Sequence, residues 1–165
     1  MTQIPIEHIV DANSLENADG KVHLYELTPS IGSGVIRFKN DNDQMWLGKE
    51  FTGLPVAMDG ENYTSQGASP QPSLVIGQND IDLSAFKPLI WSGGLDNARI
   101  VRDTVLVDNL LENRDIKVTS VFRVKRIDGY STSQIKLSLA VFSPAGPSSI
   151  PFRQYVPPSF PFVVI

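Results

Sequence analysis

The strongest constraint on this chain is a pair of alternating runs on either side of Asp128-Gly129. In Ile116-Val118-Ser120-Phe122-Val124 the even positions are mostly apolar, while Lys117, Thr119 and Arg123, with Lys125, are mostly polar. After Ile127-Asp128-Gly129-Tyr130 the pattern resumes as Ile135-Leu137-Leu139-Val141, with Gln134, Lys136 and Ser138 between. Successive strand residues point to opposite faces, and Asp-Gly suits a tight turn. The pattern therefore predicts an antiparallel hairpin with one buried face and one wet face.

Twelve glycines and twelve prolines punctuate the rest of the chain, which leaves room for short strands and few long helices. Strands are expected from Lys21 to Leu27, Val35 to Phe38, Pro72 to Ile76 and Ala98 to Val107. Met45-Trp46-Leu47 and the run from Phe51 to Val56 flank a tight turn at Gly48, and Asn40 to Asp43 is a polar turn. Asp59 to Pro72 reads as a loop. Ile6, Ile9 and Val10 have the spacing of a short amphipathic helix, and Asp80 caps a helical turn through Phe86 that Pro88 terminates. The expected fold is mainly β, a β-sandwich or partly open β-barrel with one or two short helices.

A length of 165 residues fits one domain. We place a β-rich unit at 1–145, with a short helical segment in 1–20, and an extended C-terminal arm at 146–165. Pro147, Pro151, Pro157, Pro158 and Pro161 exclude a central strand over most of that arm. Its side chains are nonetheless apolar, and Phe152, Tyr155, Phe160, Phe162, Val163, Val164 and Ile165 are the interface candidates.

Composition removes several classes. With 14 Lys+Arg against 18 Asp+Glu the net charge is −4, which argues against specific nucleic-acid binding. There is no cysteine, hence no disulfide, thiolate metal site or cysteine nucleophile. No apolar run is long enough for a membrane span, and the start lacks the layout of a signal peptide. Synthesis in the cytoplasm without Sec-type export is expected.

No active site emerges from the side chains. His8 and His23 are the only histidines, and no GxSxG elbow surrounds any serine, so both read as structural. The acidic pairs Asp41/Asp43, Asp59/Glu61 and Asp80/Asp82 read as solvated turns, and the Asp41 run lacks the glycine and distal Glu of an EF-hand. Gly32-Ser33-Gly34 lacks the third glycine of a dinucleotide loop. Lys117, Arg123, Lys125 and Arg126 read as a solvated basic strand face, and Trp46 and Trp91 as core or interface anchors. No catalytic, metal or cofactor residue is assigned.

One ordered series of residues resembles a known family. Leu24-Tyr25-Glu26-Leu27 is followed by Trp46-x-Gly48, Phe51, Leu54-Pro55-Val56, Gly60, Gly67, Pro72-x-Leu74-Val75-Ile76 and Asn79. Ala98-x-Ile100-x-Arg102-x-x-Val105 and Pro151-x-Arg153 complete it. Over about residues 20–155 this resembles the N-terminal domain of the minor tail protein L family of lambda-like long-tailed phages. The resemblance implies a virion protein of the tail tip, linking the distal tail ring to the central hub in a threefold collar around the DNA channel. Implied partners are the distal tail protein and the central hub protein, with the tape measure protein at the edge of that set. The cysteine-rich C-terminal domain of that family, with its iron–sulfur cluster, has no counterpart here. A channel must let DNA slide, so Asp41, Asp43, Asp59 and Glu61 are the channel-facing candidates. Two readings compete. One is a carbohydrate- or receptor-binding β-sandwich with Trp46, Trp91 and Tyr63 as stacking candidates. The other is a small glycan-cleaving enzyme using one of the acidic pairs.

Overall fold

The structure is a computed structural model and describes residues 4–13, 20–60, 71–77, 86–131 and 133–141. Within these, a helix α1 (Ile6–Asn13) precedes strands β1 (Lys21–Thr28), β2 (Ile36–Lys39), β3 (Gln44–Trp46), β4 (Lys49–Gly53), β5 (Val56–Asp59) and β6 (Ser73–Gly77). Helix α2 (Lys87–Trp91), β7 (Arg99–Leu106), α3 (Val107–Leu111), β8 (Val118–Tyr130) and β9 (Gln134–Val141) follow. The strands form one mixed sheet in the order β3-β4-β2-β1-β7-β8-β9-β6-β5, in which β2 and β4 are parallel and the other neighbours antiparallel. The fold is thus mainly β, as expected, with a third short helix. The arm at 146–165, and its interface candidates, lie outside the described residues, as does the turn from Asp80.

The sheet curls until its two ends approach, without closing into a barrel. The chain leaves β4 beside β2 and crosses through Leu54 and Pro55 to β5 at the opposite end of the strand order. Val56 N–H donates to Asn40 Oδ1 at 3.3 Å, and Leu54 N–H to the Lys39 carbonyl at 2.8 Å, so the loop after β2 holds the entry to β5. Inside the curl Tyr25, Leu27, Phe38, Leu74, Ile76, Ile100, Phe122, Val124, Ile135, Leu137 and Leu139 pack with Phe86 and Leu95. Tyr25 stacks on Phe38 at 5.4 Å between centroids.

β1 is apolar on both faces. Tyr25 and Leu27 face the interior, while Val22 and Leu24 face a second core made with Trp46, Phe51, Val105 and Leu110. The β3–β4 hairpin supplies the lid of that second core. Its two-residue turn has Leu47 at φ 49° and Gly48 at φ 72°, the left-handed pair that matches strand twist. Leu47 N–H is tied to Asn113 Oδ1 at 2.7 Å.

The central hairpin exists, but its turn is not at Asp128-Gly129. β8 runs through both residues and the chain reverses after Tyr130, which pairs with Ile135. Register shifts at Val124/Arg126 and Ile127/Gly129 absorb the extra residues. A bulge strengthens local twist and re-aims side chains, so the strict alternation ends at Val124. Phe122 and Leu137 are buried as expected. Thr119 is not on a purely wet face, because its hydroxyl donates to Asp103 Oδ1 at 2.6 Å. Pro88 lies in the first turn of α2, where a missing N–H costs nothing.

Candidate functional site

The interior of the curl is apolar over most of its length and polar at one mouth. There β1 contributes Lys21, His23 and Tyr25 at alternate positions, and β7 places Arg102 directly across from Tyr25 and Thr104 across from His23. Lys39, Asn40 and Asp41 come from the end of β2 and its turn, and Val56 and Met58 from β5. These groups line a cavity of about 420 Å³.

His23, Arg102 and Lys39 are each positioned by neighbours. His23 Nδ1 lies 3.0 Å from Thr104 Oγ1, which fixes the ring plane. The Arg102 guanidinium sits 5.5 Å from the Phe122 ring centroid, and its Nη1 donates to Met58 Sδ at 3.5 Å. Lys39 is buried, and its ammonium donates to the carbonyls of Asn40 at 2.9 Å and Asn42 at 2.7 Å, which holds the turn against the mouth. That turn leaves no room for a side chain at Gly53, whose Cβ would lie within 2.7 Å of the Asn42 carbonyl carbon. Gly53 N–H in turn donates to Asp43 Oδ1 at 2.7 Å.

The outer face carries two charged groups. Glu26 Oε1 accepts from Lys49 Nζ at 2.8 Å and Arg37 Nε at 3.2 Å. Burial alone would raise the Glu26 pKa, but the hydrogen bonds and charges of Lys49 and Arg37 outweigh it and hold the carboxyl below its usual range. Asp103 is buried and meets Lys117 Nζ at 3.2 Å. Lys117 also pairs with Asp115 at 3.3 Å and lies 5.1 Å from the Trp46 ring centroid. Burial pulls the Lys117 ammonium down, and the charges and hydrogen bonds of Asp103 and Asp115 more than compensate, so its pKa is raised.

Among the described residues, two exposed surfaces carry large apolar side chains close together in the chain or around one groove. Trp91 is 86% exposed and forms an open groove of about 530 Å³ with Lys87, Pro88 and Tyr130. At the other surface α1 shows its apolar stripe outward. Ile6, Ile9 and Val10 are exposed, as are Ile4 and Leu111, while His8 is buried. Glu7 Oε2 accepts from Asn109 Nδ2 at 3.0 Å, which seats α1 on α3 by its polar side.

The expected site residues are scattered rather than gathered. Asp41, at φ 75°, lines the cavity mouth; Asp43 is used by Gly53 N–H, and Asp59 Oδ1 accepts from Gly60 N–H at 2.8 Å. Glu61, Tyr63 and Asp82 lie outside the described residues. Trp46 is buried and has no face to offer a sugar, in contrast to Trp91. The basic hairpin face is dispersed as well: Lys117 is paired with acids, Arg123 Nη1 donates to the Asn97 carbonyl at 3.2 Å, and Arg126 Nε to Asp128 Oδ1 at 2.6 Å.

The cavity could not be read from the sequence, because its walls are set by the β1–β7 register and by a β5 strand hidden among turn residues. The one available signal was the cation and histidine at alternate positions Lys21 and His23, leading to Tyr25. Among the described residues there is no group of three or more His, Asp or Glu that could hold a metal, and no helix is long and apolar enough to cross a membrane. Comparison with protein-family models and with curated proteins finds no match for this chain.

Proposed function

We propose that this chain is a structural subunit of a phage tail tip, seated between the distal tail ring and the central hub around the DNA channel. The observation that carries the reading is the outward apolar stripe of α1, where Ile6, Ile9 and Val10 stand in solvent, with Ile4 exposed just before the helix. Apolar side chains clustered at one place mark a surface that another subunit covers, at about 25 cal/mol per Å² of apolar area removed from water. The residues behind the resemblance also occupy structurally demanding positions, which supports the reading. Trp46-x-Gly48 makes the left-handed turn, Phe51 packs in the second core, and Leu54-Pro55-Val56 makes the crossing between the ends of the sheet. The proposed partners are the distal tail protein, the central hub protein and the tape measure protein, in a threefold ring in the virion. Mass spectrometry of purified virions and of detached tail tips tests this. The expected result is the chain at fixed stoichiometry in both, and loss of incorporation for Ile6→Ser/Ile9→Ser/Val10→Ser protein that still folds. Virions lacking the chain would overturn the reading.

A second reading has its own observation. The exposed Trp91 ring beside Tyr130 is the arrangement on which a sugar ring stacks, so the domain would serve as a carbohydrate- or receptor-binding module. A glycan array with wild type and Trp91→Ala separates the two readings, since binding abolished by that change favours the second.

A further inference from the structure

We propose that the open groove around Trp91 and Tyr130 is the docking site for a proline-rich segment of this same chain, Pro157-Pro158-Ser159-Phe160-Pro161. The proposal is independent of the tail-tip reading. It gives the groove an occupant other than the sugar of the second reading.

The groove is shaped for stacking. Its lining is Lys87, Pro88, Trp91 and Tyr130, with Trp91 86% exposed and Tyr130 45% exposed. Trp91 is the last residue of α2, which packs on the core through Leu89 and Ile90, and Tyr130 ends β8 in register with Ile135. The backbone under each ring is therefore fixed before anything binds. Sugar hydroxyls call for carboxylates or amides beside a stacking ring, and this lining has neither. A proline ring needs only an aromatic face, and aromatic-lined grooves are where polyproline II segments dock.

The segment has the matching pattern. Proline fixes φ at about −65°, so Pro157-Pro158 favours polyproline II, which has three residues per turn. At that period Pro158 and Pro161 share one row and Pro157 and Phe160 the next, which makes a continuous apolar ridge. Ser159 falls on the third row, away from the ridge. Residues 154–165 carry no charged side chain, so docking desolvates no charge of the segment.

Chain length selects this segment over the other prolines. Tyr130 lies opposite Ile135, and β9 continues to Val141, about 20 Å further along at about 3.3 Å per residue. Pro144-x-x-Pro147 begins only about 10 Å of chain past Val141, too little to turn and come back. Pro157 has up to about 50 Å of chain before it, which is ample. A tether of this kind holds the segment at about 1 mM effective concentration, so a dissociation constant of about 0.1 mM fills about nine grooves in ten.

The test uses the absence of cysteine, which makes Ser159→Cys the single attachment point for bimane, a dye quenched by a nearby tryptophan. Trp46 is buried, so Trp91 is the tryptophan open to the dye, and Trp91→Phe alters a solvent-facing ring without disturbing the fold. In the labelled full chain, emission should be at least twofold lower than with the same label in the Trp91→Phe protein. The quenching should persist on tenfold dilution, and Pro158→Ala/Pro161→Ala should remove most of it. Equal emission with and without Trp91, or quenching retained in Pro158→Ala/Pro161→Ala, overturns the proposal. Quenching that fades on dilution overturns docking within one chain and assigns the segment to a second copy. A glycan that binds through Trp91 while the label stays quenched also overturns it, since the two cannot share the groove.

Discussion

Replacing Lys117 by Met isolates the electrostatics of the outer core, because Met keeps the alkyl packing and removes the ammonium. The change leaves Asp103, only 6% exposed, facing Thr119 Oγ1 without its cation. Removing one partner of a fully buried pair costs about 3–5 kcal/mol. Here the Lys117 side chain is 28% accessible and Asp115 beside it is 63% accessible, so water screens part of the interaction. That discount brings the expected loss to about 2 kcal/mol, with about 0.5 kcal/mol more for the lost contact over Trp46. For a domain of this size the melting temperature should fall by about 5–10 °C. Urea denaturation followed by tryptophan emission is the assay, in a Trp91→Phe background so that Trp46 alone reports. Asp103→Asn/Lys117→Met should lose less than the two single changes combined, by about 1 kcal/mol or more. The raised Lys117 pKa adds a second signature. Its contribution is complete below the unfolded lysine value of about 10.4 and disappears as pH rises through the higher folded value, so the variant should lack this alkaline component. A loss within about 0.5 kcal/mol, or strict additivity in the double variant, would refute the argument.

Two further outcomes are expected. Gly53→Ala forces its methyl against the backbone of Asp41 and Asn42, and should lower stability by about 2 kcal/mol or more, read as a shift in the urea midpoint at unchanged slope. Glu26, whose pKa is lowered in the fold, contributes stability that is present above the ordinary carboxylate value of about 4.3 and is lost as pH falls through the folded value. Melting temperatures across the acid range should therefore fall less steeply for Glu26→Gln than for the parent, and parallel curves would contradict the assigned ion pairs.

Strands whose signal is local were legible from sequence. β1, β2 and β7 begin and end within about two residues of where alternation and β-branched content place them. β5 was not, because Val56 to Asp59 is bounded by proline and glycine and reads as loop until β6 is known to pair with it. α3 is a single turn of Val-Asp-Asn-Leu-Leu whose formation follows from Leu110 packing under Trp46, a tertiary cause with no local signature. Asp128-Gly129 shows the opposite failure, a strong turn signal overridden by the register of Tyr130 on Ile135. The two tryptophans carry the same chemistry in sequence, yet one is buried under Lys117 and the other stands in solvent. The cavity depends on which residues of β1 and β7 face each other, and that is decided by pairing between segments far apart along the chain.

That distant pairing also dictates an order of events during synthesis. β1 can form its hairpin with β2 as soon as both have emerged, but its other edge waits for β7, and the contact of His23 with Thr104 spans 81 positions. Until then both faces of β1 and one row of its backbone donors and acceptors are uncovered, with Leu24 and Tyr25 displayed to opposite sides. Closing so long a loop is entropically slow, so the β1–β7 seam should set the folding rate. A nascent chain halted before Arg99 should accordingly recruit holdase chaperones through the β1–β2 hairpin, and release them once the segment ending at Leu106 clears the ribosome.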